Sequence, residues 1–177
     1  MTARLSRGVA LAAIVAGSAA CSNSGNAAGG GTGSTSAPTT TSSGQSKTGA
    51  AAVAAITSAY GTLFNLANPA LAPKIAVIQN GATMQGALQS ALKSQIAKTA
   101  GGAKVVTVTP LSSSSCSSEA LPAPCDGVKF YIVSPKGKTL LPDNGFAVYV
   151  GGKWLVAKVT ICGLLSLAAG GKAPAGC

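Results

Sequence analysis

The chain has 177 residues, thirteen basic side chains against three acidic ones, and no histidine, for a net charge of +10. Without histidine a Ser-His-Asp triad cannot be built. With Glu119, Asp126 and Asp143 as the only acids, the paired carboxylates of a glycosidase are not expected.

Residues 1–20 have the make-up of an export signal. Arg4 and Arg7 precede an apolar run from Gly8 to Gly17, and Ser18-Ala19-Ala20 places small residues directly before Cys21. The run is about half the ~20 residues that a spanning helix needs. A cysteine at this place predicts a bacterial lipoprotein, acylated at Cys21 and held to the membrane by that lipid. Ser18 stands where the lipoprotein signal usually has leucine, and Ser18 with Ala20 also suits an ordinary signal peptidase, so free secretion is the alternative. The five cysteines favour the lipid, because acylation of Cys21 leaves an even four, Cys116, Cys125, Cys162 and Cys177.

Residues 21–49 are rich in Gly, Ser and Thr and contain no aromatic or large aliphatic residue. Such a segment has nothing to bury and reads as a flexible tether. Residues 50–177 have the length of one domain.

The first part of that domain has helical period. Val53, Ile56, Tyr60, Leu63 and Phe64 form one apolar stripe. A second helix is expected after Asn68-Pro69, with Leu71, Ile75 and Ile78 inward and Asn80-Gly81 ending it. A third places Met84, Leu88, Leu92 and Ile96 four apart and stops at Gly101-Gly102.

After Gly102 the period becomes two. Strands are expected over 104–110, 128–133, 146–150 and 153–161, each rich in β-branched and aromatic residues. Gly151-Gly152 is a two-residue hairpin turn, and Pro142-Asp143-Asn144-Gly145 reads as a longer one. The hairpin pairs Val150 with Lys153, Tyr149 with Trp154 and Val148 with Leu155. One face then carries Phe146, Val148, Leu155, Ala157, Val159 and Ile161, the other Tyr149, Trp154, Val156 and Lys158. The first set is more uniformly apolar and is assigned to the core. The fold class is α+β, with about three N-terminal helices packed on a curved antiparallel sheet of about four strands.

Export to an oxidising compartment makes disulfides the default. In a meander the end of the first strand lies near the start of the second, which favours Cys116–Cys125 and leaves Cys162–Cys177. No metal site is expected, because histidine is absent and no CxxC pair occurs.

Three motifs carry a resemblance. They are Leu63-Phe64 leading to Lys74-Ile75-Ala76-Val77-Ile78-Gln79-Asn80-Gly81, then Gly152-Lys153-Trp154-Leu155-Val156, then Thr160-Ile161-Cys162-Gly163-Leu164-Leu165. Together they resemble the mycobacterial low-molecular-weight secreted antigen family, the C-terminal domain of actinobacterial exported lipoproteins. The resemblance runs from Tyr60 to Leu167. It implies a small exported domain of the cystatin-like or nuclear-transport-factor-like group and immune recognition as an antigen. It brings no catalytic residue and no cofactor.

The residue inventory points away from an enzyme, since no acid, base or free thiolate can be named. Past Arg7 every positive charge is a lysine, scattered from Lys47 to Lys172 without an interleaved aromatic motif, which argues against nucleic acid. Two expectations remain. One is an envelope lipoprotein without a small ligand. The other is an extracytoplasmic binding module for an apolar or amphiphilic ligand, with Tyr131, Tyr149 and Trp154 lining a groove and Lys129 and Lys158 drawing an anionic head group.

Overall fold

The computed structural model describes residues 45–177; the export signal, Cys21 and the tether up to residue 44 lie outside the described residues. Helix α1, Gly49–Phe64, buries Ala52, Ile56, Ala59, Tyr60 and Leu63. These fall at i, i+4, i+7, i+8 and i+11, one face of a 3.6-residue helix. Val53, expected inward, is exposed, and Ala52 takes its place.

Short helices follow. α2 is Leu71–Ala76, a 3₁₀ turn covers Gly81–Met84, α3 is Gln85–Leu92 and α4 is Gln95–Thr99. The single third helix expected over Met84 to Ile96 is therefore broken. Lys93 and Ser94 separate the two helices. The chain restarts at Ser94, whose hydroxyl accepts the Ala97 N–H at 3.3 Å, the capping role in which serine is favoured.

The sheet is a curled antiparallel meander in the order β1-β2-β3-β4, so the α+β class is as expected. β1 is Gly102–Pro110, β2 Cys125–Val133, β3 Thr139–Val150 and β4 Lys153–Val156. The hairpin register is the one expected, with Val150 opposite Lys153 and Tyr149 opposite Trp154. Gly151 and Gly152 both have positive φ, as a two-residue turn matched to strand twist requires. Pro142 to Gly145 form strand rather than turn, opposite Tyr131 to Val128. β4 reaches only as far as Ala147, so β3 is an edge strand at Pro142, where a missing N–H is tolerated.

Two further elements depart from expectation. α5, Ser113–Ser118, lies in the β1–β2 connection, and its cap Ser112 accepts the Ser115 N–H at 3.1 Å. The strand expected over 153–161 ends at Val156, and α6, Lys158–Ala168, follows Ala157. Thr160, Ile161, Leu164 and Leu165 share a helical face, and that period overrides the β propensity of Val159-Thr160-Ile161. Val159 is exposed as a result.

The face assignment is reversed. Trp154, Val156 and Ala147 join Val128, Phe130 and Ile132 in the main core beneath α1. Val148, Leu155, Phe146 and Ala157 face the other way. There the β1–β2 connection covers them with Leu111, Cys116 and Leu121, so both faces are buried at this end and apolar content does not tell them apart.

Candidate functional site

α1 ends over the sheet with its last carbonyls pointing away from the helix. Lys74, on α2, meets them. It is 2 % exposed, and its Nζ donates to the carbonyls of Thr62 at 3.3 Å, Leu63 at 3.0 Å and Asn65 at 2.6 Å. An ammonium has three donors, and all three are used. A cation at a helix C-terminus satisfies orphan carbonyls and the dipole together. Burial pulls the Lys74 pKa below the ordinary lysine value, while the three carbonyls favour the charged form.

Beside Lys74 lies a cavity of about 510 Å³, bounded by the end of α1, by α3 and α4, by the β2–β3 end of the sheet and by α6. Its volume falls within the roughly 300–1,000 Å³ of small-molecule pockets. Leu63, Leu88, Ile132 and Ile161 are buried in its wall, while Leu140, Leu141 and Leu167 line it and remain exposed. Such apolar exposure marks an opening rather than a finished core. A second cavity of about 480 Å³ shares Ala91, Ser94, Leu165 and Ala168 with the first and is lined on another side by Pro174 and Gly176 of the C-terminal tail.

The five expected ligand residues do not form one groove. Tyr149 and Trp154 lie on the inner face, and their rings meet edge-on at 5.5 Å. Trp154 is 2 % exposed. Its Nε1–H donates to Ser46 O at 2.9 Å and its N–H to Gln45 Oε1 at 2.6 Å. The Tyr149 hydroxyl donates to Gln45 O at 2.7 Å, and Lys47 stands 5.3 Å from its ring centre. These aromatics anchor the start of the domain. Tyr131 and Lys129 alternate with the core residues Phe130 and Ile132 and so point from the outer face. Lys158 opens α6, with its N–H on Gln79 Oε1 at 3.1 Å. Side-chain alternation along β2 separates Tyr131 from Tyr149, and the turn into α6 removes Lys158 from the sheet.

Cys116 and Cys125 are bonded at 2.05 Å, and Cys162 and Cys177 at 2.12 Å. The first bond holds α5 to the outer face of β2. The second ties the tail to α6, whereas the sequence placed Cys162 on a strand. Cys21 lies outside the described residues. Asp126 is 5 % exposed on β2, and burial raises its carboxyl pKa above the ordinary value. Among the described residues no group of three metal-ligating side chains occurs, and no helix is long and apolar enough to cross a membrane.

Sequence reasoning missed both Lys74 and the cavity. Lys74 stood in the sequence only as the first residue of a resemblance motif, with nothing to mark its burial, and the wall comes from elements far apart in the chain. The one available signal was Leu164-Leu165-Ser166-Leu167, which has helical rather than strand period.

Residues 49–172 match the family model described as low molecular weight antigen MTB12, C-terminal domain. The chain belongs to this family. The match begins at the first residue of α1 and ends beyond α6, so it includes every helix and strand described above. The MTB12 family is a secreted-antigen domain, consistent with a place outside the cytoplasm. No curated protein matches the chain.

Proposed function

We propose that this chain is a non-enzymatic, extracytoplasmic binding module, held to the membrane through a lipid on Cys21, that carries the aliphatic part of an amphiphile in the cavity beside Lys74. The observation that carries the reading is the cavity itself: about 510 Å³, lined mainly by leucine, isoleucine and alanine, with Leu140, Leu141 and Leu167 exposed at its edge. The absence of histidine supports a non-enzymatic role.

Titration of the full chain with hexadecanol and palmitate tests the reading, together with native mass spectrometry of protein from its own host. Saturable binding is expected, lost in Ala91→Trp, which fills the wall from α3. A flat titration and a bare polypeptide mass would leave an envelope protein without a small ligand. The lipid on Cys21 is tested separately by fatty-acid labelling, which Cys21→Ser should abolish.

A further inference from the structure

Helix α3 lies between the two cavities. At about 100° of turn per residue, Gly86, Ser90 and Ala87 form one arc and line the second cavity, while Leu88 and Leu92 form the next arc and line the first. Ala91 stands where the arcs meet and lines both. α6 is divided in the same way: Ala169 lines the second cavity, Leu164 and Leu167 the first, and Leu165 and Ala168 both. Ala91, Ser94, Leu165 and Ala168 thus form the partition, and three of these four side chains are small.

The two spaces differ in chemistry. The one charged group in the first is Lys74, and its three donors are held by three carbonyls. No charged side chain lines the second, which has the hydroxyls of Thr83, Ser90 and Ser94 instead. The Thr83 hydroxyl donates to Asn80 O at 2.8 Å and keeps its accepting lone pairs. The Ser94 hydroxyl accepts the Ala97 N–H at 3.3 Å and keeps its proton to donate. Ser90, exposed on α3, can do either. A group that both donates and accepts suits this set. A carboxylate only accepts, an ammonium only donates, and either would give up water without meeting an opposite charge.

Resting on the proposed cavity, we infer that the two spaces are lobes of one site whose ligand is an amphiphile with an uncharged polyol head, glycerol or sugar. The aliphatic part lies in the first lobe. The head crosses the thin partition and rests on Thr83, Ser90 and Ser94 in the second. The C-terminal tail is the far wall of the head lobe. Gly176 has a φ of +92°, and a Cβ there would overlap Thr83 O, so the tail lies directly on the first hydroxyl-bearing residue, held by the Cys162–Cys177 bond.

Four probes with the same sixteen-carbon chain, each below its aggregation concentration, test this on the full protein: 1-monopalmitoylglycerol, hexadecyl glucoside, methyl palmitate and palmitate. At least one polyol probe should bind about fivefold more tightly than methyl palmitate, the scale of one net hydrogen bond, and more tightly than palmitate. Which of the two does so tells a glycerol head from a sugar head. The polyol probe should shift the methyl signals of Ala87 and Ala169 together with those of Leu88 and Leu164, and methyl palmitate those of the leucines alone. Ala87→Trp fills the second lobe from a residue that does not line the first, and should bring the polyol probe down to the affinity of methyl palmitate. Ser90→Ala, a change at an exposed side chain, should reduce the preference and leave methyl palmitate binding unchanged. Equal affinity for polyol and methyl ester, or a preference that survives Ala87→Trp, overturns the two-lobed site and leaves a cavity for an aliphatic chain. Tightest binding of palmitate overturns the uncharged head. Binding of none removes the cavity reading along with this inference.

Discussion

The Nζ of Lys74 sits 2.6 Å from the carbonyl oxygen of Asn65, the residue at which α1 ends. A side chain from the next helix thus closes the preceding one and seals the inner end of the cavity. Lys74→Met keeps the aliphatic stem and leaves three carbonyls without their donor. The expected loss is about 2 kcal/mol or more, the scale of hydrogen bonds to a charged group, read as a lower urea midpoint.

Tyr60 ties α1 to the sheet in the same manner. Its hydroxyl donates to Phe146 O at 3.1 Å, and the Thr160 hydroxyl accepts the Phe146 N–H at 2.7 Å. Gly145 lets them close in, since a Cβ there would overlap Thr160 Cγ2 and lie 2.8 Å from the Tyr60 hydroxyl. Tyr60→Phe should cost about 1 kcal/mol, one buried hydrogen bond. Gly145→Ala should cost more, about 1–3 kcal/mol for overpacking, and Gly145→Ala/Thr160→Ala should recover part of the loss. Equal stability of Gly145→Ala and wild type in denaturant titration would contradict this packing.

Asp126 gives a pH dependence. Burial raises its carboxyl pKa, so the folded protein holds the proton more tightly than the unfolded chain. The resulting stabilisation is complete below the ordinary carboxylate value and is lost as pH rises through the raised folded value. At neutral pH the raised value is a net cost to the folded state. Asp126→Asn should therefore unfold at higher urea than wild type at about pH 7, with the difference closing below about pH 4, the ordinary aspartate value. A constant difference across that range would assign the effect to packing rather than charge.

The Cys162–Cys177 bond closes a loop with a sequence separation of 15 and holds Pro174 and Gly176 over the second cavity. Cys162→Ser/Cys177→Ser should lower stability by about 3 kcal/mol on the chain-entropy estimate. Proteolysis should then trim the tail first, because little else restrains it. A tail still resistant after the change would show that its contacts with α3 and α6 suffice.

Some features were legible because they depend on neighbours in the chain. The Gly151-Gly152 turn sets the β3–β4 register through backbone conformation alone, and so Tyr149 opposite Trp154 was readable in advance. The strands around Val128 to Val133 and Val105 to Val108 announced themselves by β-branched residues and alternation. The disulfide pairing followed from meander order, although Cys162 proved to lie on a helix. The motifs from Leu63 to Leu165 were enough to indicate the antigen family.

What the chain determined by itself was therefore local: where elements start, which turn joins β3 to β4, and that the folded part is a helix-on-sheet domain. The tertiary structure decided which face of the hairpin is inner, because α1 lies on one side and the disulfide-closed α5 segment on the other, and both sides are apolar. It also decided that Lys74 is buried, since its three acceptors appear only once α2 folds back on the end of α1. The cavity belongs to the same class. Its wall joins residues from Leu63 to Ala168, and burial of that kind is settled by long-range packing, to which local sequence pattern is blind.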